Sequence, residues 1–408
     1  MEPYLIVGNG VAAVNAVEAI RARGDRTPII MCTDQECTFY SRPCLYYIML
    51  GRIEWEDAWG RPDSFYAEHG VDVRCSTRVS RIDPAAHAVE VEGQGALLYS
   101  RLLLAVGTRG RLLPWAAQAL RGIVTLNMLL DVRTIADLLA AARYAVVAGG
   151  GLTSIELVEV CRHWGVPATF VIRGERFLEK QLTNDEAELV HARLRGIGVD
   201  LRLREEIAEV RGRDGRVAQA VMATGEEIPC EVAGCTVGVV ANRELCGVAG
   251  GETAQGIVVD DGMRTSLPDV FAAGDVAQVQ GPGDRAAPAE MLWYVAADMG
   301  RVAGANMAGG EESYRRRVFL NVSEFCGLDF CGVGDIVPDQ PEVEETVIRE
   351  GSKGSIRLVC RGGVLVGACF LGDIRLADLA RGPIEAGARP RDLGSDHPLR
   401  QLLERRSP

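Results

Sequence analysis

Tyr4-Leu5-Ile6-Val7-Gly8-Asn9-Gly10-Val11-Ala12-Ala13 opens the chain and decides how the rest of it reads. Tyr4 to Val7 form a short apolar run with the character of a buried parallel strand, and the apolar periodicity after the glycines predicts a helix ending near Gly24. A strand, a glycine turn and a helix in that order read either as a phosphate-binding unit or as a plain turn, and the acid that follows in order favours the first. Gly8 allows the turn, Gly10 lets backbone approach a pyrophosphate, and Ala13 keeps helix and strand close, while the helix N-terminus faces the phosphate charge. The next strand, Pro28 to Cys32, ends beside Asp34, about 20 residues past the glycines, where a carboxylate can accept ribose hydroxyls.

The same pattern returns at Tyr144-Ala145-Val146-Val147-Ala148, followed by Gly149-Gly150-Gly151-Leu152-Thr153-Ser154, a helix to Gly165 and a strand from Ala168 to Ile172. Gly149 and Gly151 take the turn and approach positions, and Ser154 replaces the third glycine. Ile172 stands at the strand end, where an acid would favour the free ribose of NAD; Arg173 and Arg176 follow instead. Arginines there can pair with a 2′-phosphate, which slightly favours NADPH over NADH, although Glu175 sits between them. The alternative is two solvated arginines on a loop.

Two further apolar strands end in glycine turns, Leu102 to Thr108 with Gly107, and Val270 to Val276 with Gly274 and Asp275. They bracket the second unit, so the first domain is expected to be interrupted by the second and then resumed. Asp275 reads either as a helix N-cap or as a carboxylate offered to a polyhydroxylated ligand; the context favours the ligand.

With 408 residues, two or three cores are expected and a single small module is ruled out. Hydrophobic residues at 48% and charged residues at 25% are globular proportions, while 47 glycines exceed the usual share. A net charge of −12 and a pI near 5.1 argue against nucleic acid or anionic lipid as partner. Neither an export signal nor an apolar run of about 20 residues is visible, and the chain reads as cytoplasmic. Twelve cysteines are then expected as reduced thiols. Three pairs have C-x4-C spacing, Cys32/Cys37, Cys230/Cys235 and Cys326/Cys331, and the five histidines are scattered singly, so no bound metal is expected.

These segments, together with FYSRPCL (39 to 45), LLLAVGTRGR (102 to 111), VVDDGMRTSLPDVFAAGDVA (258 to 277) and MLWYVAADMGRVAGANMAG (291 to 309), resemble the FAD-dependent pyridine nucleotide-disulfide oxidoreductases. The branch is that of rubredoxin reductases, ferredoxin reductases and the flavin portion of NAD(P)H-nitrite reductases. The resemblance implies an α/β chain with two Rossmann-like dinucleotide-binding domains, for FAD and NAD(P), plus a small α+β C-terminal interface domain. The expected limits are 1–112 with 243–312 for FAD, 113–242 for NAD(P) and 313–408 for the interface domain, where SEFCGLDFCGVGDI (323 to 336) looks like the family's terminal β-rich segment. It further implies that Arg42 and Pro43 face the FAD pyrophosphate, Asp34 the adenosine ribose and Asp275 the ribitol. A helix beginning near Met291, with Trp293 at its start, would direct its positive end at the flavin. Glu156 matches the family glutamate beside the nicotinamide; taken alone, a helical glutamate is more often a surface residue.

Tyr47 departs from the family, many of whose members carry there a lysine paired with that glutamate. Cys44, expected in the first turn of a helix after Arg42-Pro43, is either a packing residue or a thiolate able to take electrons from reduced flavin. Cys32/Cys37, with the spacing of a redox disulfide, falls on the adenosine side. The implied reaction passes hydride from NAD(P)H to FAD and then electrons to an acceptor. The leading acceptor is a small redox protein. The alternatives are thiol-dependent disulfide reduction or NAD(P)H oxidation through Cys44, or a flavin-binding subunit of a larger redox complex. Homodimer formation is a further expectation from relatives.

Overall fold

The structure, a computed structural model, describes residues 2–62, 64–280, 290–338, 340, 342–349 and 354–404. The chain runs β1 (Tyr4–Val7), α1 (Val11–Ala22), β2 (Ile29–Cys32), α2 (Cys44–Met49), β3 (Val71–Arg74) and β4 (Arg101–Leu104). It continues through β5 (Ile123–Val124), β6 (Ala145–Ala148), α3 (Leu152–His163), β7 (Ala168–Ile172), α4 (Asn184–Gly196), β8 (Asp200–Leu203) and β9 (Val232–Cys235). Then come β10 (Val270–Ala272), α5 (Trp293–Met307), β11 (Leu320–Phe325), β12 (Leu328–Gly334), β13 (Val343–Arg349), β14 (Ser355–Arg361), β15 (Val364–Leu371) and α6 (Ala377–Glu385).

Two compact units result. The first takes the chain up to Arg109 and returns from Val239 to Arg315; the second takes Gly110–Gly238 and the chain from Arg316 onward. The first unit holds a five-stranded parallel sheet in the order β10-β4-β1-β2-β3. Its strands are near-continuous apolar runs because both faces are covered, and Leu5, Ile6, Leu102, Leu103 and Leu104 are fully buried. Burying each such side chain stabilises by about 1.5–3 kcal/mol. One covering layer is α1 against α5, where small residues let the helices meet backbone to backbone at Gly300 and Gly304, over Ala12 and Ala16.

The second unit holds a parallel sheet in the order β8-β7-β6-β9-β5 and an antiparallel sheet in the order β11-β12-β15-β14-β13 with α6 on it. The C-terminal segment expected over 313–408 groups with this unit from Arg316 onward. A buried cation is one reason. Arg357 of β14 is fully buried and donates from Nε to both Glu186 oxygens on α4 at 3.0 and 3.2 Å, and from Nη2 to the Gln181 carbonyl at 2.7 Å. Leaving either charge unpaired there is costly, so β14 and α4 hold together. Among the described residues no helix is long and apolar enough to cross a membrane.

Candidate functional site: two dinucleotide crevices

In the first unit Val7 is in register with Cys32 on one side and Leu104 on the other, and Leu104 with Ala272. The segments after those strands therefore leave the sheet at one level, beyond its carboxyl edge. Connections run both ways from β1, which makes that edge the place where an α/β sheet opens a crevice for a ligand. Gly8 has φ +107°, and a Cβ on it would lie 2.2 Å from the Ala105 carbonyl oxygen, so only glycine fits. Around Gly10 no neighbour comes within 4 Å of a Cβ position, leaving open space at the N-terminus of α1. The first amides of that helix have no intrahelical acceptor and favour an anion there. Ala13 is fully buried and serves the helix–strand contact.

The same edge collects charge. A Cβ on Gly107 would lie 3.6 Å from Arg42 Nη2, which places the half-buried Arg42 guanidinium beside that turn. Asp275 follows Gly274, is half-buried, and has its carboxyl pKa pushed up by burial while Arg42 opposes the rise. Gly274 packs against Ala12 and Ala296, which sets Asp275 next to the starts of α1 and α5. Trp293 begins α5 and is 45% exposed. Asp34 is exposed just past β2, and Pro43 is exposed as the residue before α2. Cys44 is the first residue of α2, as its sequence context predicts, and Tyr47 lies one helical turn on; both are half-buried. The Tyr47 ring centroid is 5.1 Å from that of Tyr46.

One residue in this crevice carries a signal the motif alone does not show. Asn9, between the two glycines, is 7% exposed; its Oδ1 accepts the Tyr66 hydroxyl at 2.9 Å, and its Nδ2 is buried with no partner. A buried donor left unpaired costs about 1–3 kcal/mol. An acceptor-rich dinucleotide lying over the turn satisfies it, so the residues fit FAD: open space at Gly10, free helix amides, Arg42 for phosphate charge, Asp275 and Asp34 for hydroxyls, and Asn9 for an acceptor.

In the second unit Ala148 is in register with Val171 and Cys235, and Gly149 turns out of the sheet at the same kind of edge. Ser154 is fully buried: its hydroxyl donates to the Thr236 carbonyl at 3.0 Å and accepts the Gly151 amide at 3.3 Å. Ser154 thus shapes the glycine loop from beneath, and Gly151 remains open on its outer side. The two arginines separate. Arg173 is exposed, whereas Arg176 donates to the Leu182 carbonyl at 2.7 Å, the Asn184 side chain at 3.0 Å and the Glu179 carbonyl at 3.1 Å. Arg176 is therefore a clasp for the loop entering α4. Glu175 pairs with Arg204 at 2.7 Å.

Glu156 on α3 is half-buried instead of lying on an open surface. Its carboxyl pKa is pushed up to about 7, first by burial and then by the charge of Glu159. Near neutral pH it therefore exists in both protonation states. The described residues contain no cluster of three or more His, Cys, Asp or Glu able to hold a metal ion.

Comparison with known proteins agrees with this geometry. Residues 2–300 match the family model of the pyridine nucleotide-disulphide oxidoreductases. The ferredoxin–NAD(+) reductase component of the biphenyl dioxygenase system of Paraburkholderia xenovorans is 33% identical over 68% of this chain and 68% of its own. The corresponding component of the anthranilate 1,2-dioxygenase system of Burkholderia cepacia is 29% identical over 95% of each chain. In fold, the chain resembles putidaredoxin reductase in its covalent complex with putidaredoxin, with a TM-score of 0.88 and 23% identity over 99% of this chain and 98% of that one. A glycine turn that only glycine can make, an arginine and an aspartate behind it, and a second such loop all fall within the matched span, and the chain belongs to the pyridine nucleotide-disulphide oxidoreductases as an FAD-dependent NAD(P)H oxidoreductase.

Proposed function

We propose that this chain takes hydride from a nicotinamide nucleotide and passes electrons one at a time to a small redox protein of the rubredoxin or ferredoxin kind. Bound FAD supplies the chemistry, accepting a hydride and releasing single electrons. The chain supplies binding, orientation and charge. The amides of α1 and the Arg42 guanidinium beside Gly107 hold the pyrophosphate, Asp34 and Asp275 accept from hydroxyls, and the N-terminus of α5 at Trp293 favours negative charge on the reduced ring. In the second unit the loop Gly149 to Gly151, braced by Ser154, receives the nicotinamide nucleotide, and Glu156 stands as the carboxyl on its reactive side. The observation that carries this reading is the unpartnered Asn9 Nδ2 over an open glycine turn, with Arg42 and Asp275 on the same sheet edge.

Donor discrimination is narrow on this reading. Ile172 gives no carboxylate to a ribose diol, and with Arg176 committed to its loop only Arg173 is left to meet a 2′-phosphate. NADPH keeps a small advantage, that of one exposed charge pair. Twelve cysteines suit a reducing cytoplasm as the site of action.

Anaerobic titration of the yellow holoenzyme with NADH and with NADPH, followed by an acceptor screen, tests the proposal. Bleaching of the flavin band and reduction of rubredoxin or ferredoxin is the expected result. Turnover with disulfides or peroxide that disappears in Cys44→Ser transfers the function to the thiol reading. Flavin that stays oxidised with both donors leaves a binding subunit.

A further inference from the structure

Between the end of β7 and the start of α4, residues 173–183 fold back against the glycine loop of the second unit. Two neighbouring amides fix that return. The Leu178 amide donates to the Gly150 carbonyl at 2.9 Å, so the segment is bonded to the middle residue of the loop Gly149 to Gly151. The Phe177 amide donates to Nε2 of His191 on α4 at 3.2 Å; Phe177 is fully buried and His191 is 3% exposed.

Leu178 lies at φ +46°, a left-handed conformation that is strained for any residue with a Cβ. Such a backbone persists only where its surroundings over-determine it. They do so here from both sides. The Gln181 and Leu182 amides close on the Leu178 carbonyl at 2.7 and 2.9 Å. The Phe177 ring meets Phe170 of β7 and Phe325 of β11 edge-on, with centroids 6.4 and 5.2 Å away.

A ring nitrogen that accepts an amide carries no proton, so His191 is neutral in this arrangement. Its proton then sits on Nδ1 and is donated to Glu188 Oε2 at 3.2 Å, which fixes the tautomer. Glu188 is held in turn by Arg195 at 2.6 Å. Arg176 and His191 therefore divide the segment between them. Arg176 gathers the carbonyls of Glu179 and Leu182 near α4, whereas His191 holds the amide next to the residue that grips Gly150. Without that acceptor a buried N–H is stranded, and the strained turn at Leu178 loses one of its supports. A loop left free to move must be ordered again when its ligand binds, and affinity falls accordingly.

We propose that His191, as the neutral acceptor of the Phe177 amide, is a positioning residue for nicotinamide nucleotide binding: through Leu178 it sets the Gly150 carbonyl and so the loop that receives the nucleotide. This rests on the reading of that loop given above. The effect is on affinity, not on the rate of hydride transfer once the nucleotide is bound.

Two variants of the holoenzyme test it. His191→Leu keeps much of the bulk but accepts no hydrogen bond; in His191→Gln the side-chain Oε1 takes the place of Nε2. Hydrogen exchange at the amides of residues 177 and 178 reads the contact without nucleotide, and the Kd of NAD+ and of NADP+ on the oxidised holoenzyme reads the site. In His191→Leu both amides are expected to exchange faster and both Kd values to rise about fivefold, what one hydrogen bond is worth. The limiting rate of flavin reduction at saturating donor is expected to stay at the wild-type value. His191→Gln is expected to return exchange and Kd toward wild type. Amides that exchange no faster in His191→Leu overturn the proposal, and so does faster exchange with both Kd values unmoved. Wild type that binds neither nucleotide overturns the functional reading as well. Should His191→Leu not fold, isotope-labelled histidine in the wild-type holoenzyme decides: a His191 ring protonated on Nε2 near neutral pH overturns the proposal, and a proton on Nδ1 alone supports it.

Discussion

Gly300 of α5 lies against Ala12 of α1 so closely that a Cβ at Gly300 would stand 2.2 Å from the Ala12 carbonyl oxygen. That oxygen belongs to the first turn of α1, so the contact sets the height of α5 relative to the Gly8–Gly10 turn. Gly300→Ala is expected to push the helices apart and lower stability by about 3 kcal/mol. The variant should also release FAD more readily, read as flavin content after gel filtration and as a lower Tm. Gly196→Ala, at a helix position with nothing within 4 Å of its Cβ, is the control and should be neutral or slightly stabilising.

The contrast shows what a linear reading can reach. Gly8, Gly10 and Ala13 are legible because turn, approach and helix contact all fall within one local segment, and the boundaries of β1 and β7 follow from apolar runs that stop where the sheet stops. Cys44 at the start of α2 follows equally from the proline before it. Asn9 is visible as a letter between glycines, but its bond to Tyr66 spans 57 residues and no periodicity announces it. Arg176 has the right charge in the right place for a phosphate, yet its direction is decided by the carbonyls of the loop that closes on it. The pairing of Arg357 with Glu186, 171 residues apart, has no local signature at all.

That pairing sets up a second prediction. Arg357 and Glu186 are buried to 0% and 1% exposure, and Arg357 Nη1 also reaches Glu345 at 2.9 Å. Arg357→Met leaves the Glu186 carboxylate buried without its cation, and unfolding by urea should report a loss of about 3–5 kcal/mol. Replacing both, Arg357→Met with Glu186→Leu, should return part of that loss, because the uncompensated charge is then gone. A single variant as stable as wild type contradicts the assignment of this pair as the bond between β14 and α4.

The two arginines after β7 should behave differently. Arg173→Ala is expected to lower kcat/KM for NADPH by less than about tenfold and to leave NADH unaffected, since an exposed charge pair contributes at most about 1 kcal/mol. Arg176→Ala removes three hydrogen bonds to the segment 179–184 and should harm both donors alike, together with Tm. Steady-state kinetics with each nucleotide, run beside melting curves, separates the two outcomes. A selective loss of NADPH use in Arg176→Ala would mean that the clasp opens to meet the nucleotide.

Glu156 predicts a pH dependence of stability with a definite sign. Its carboxyl titrates near 7 in the folded chain and near 4.5 when exposed. Between those values the folded state binds the extra proton, so the contribution is fully present below about pH 4.5 and is lost as pH rises through 7. The rise of about 2.5 pK units amounts to roughly 3 kcal/mol. Glu156→Gln removes the titration without removing the side chain's bulk. Melting curves of the two proteins should therefore lie close together at pH 5 and separate progressively toward pH 8, with the glutamine variant the more stable there. A constant Tm difference across that range would show that Glu156 is already ionised in the folded state, with its charge met by solvent.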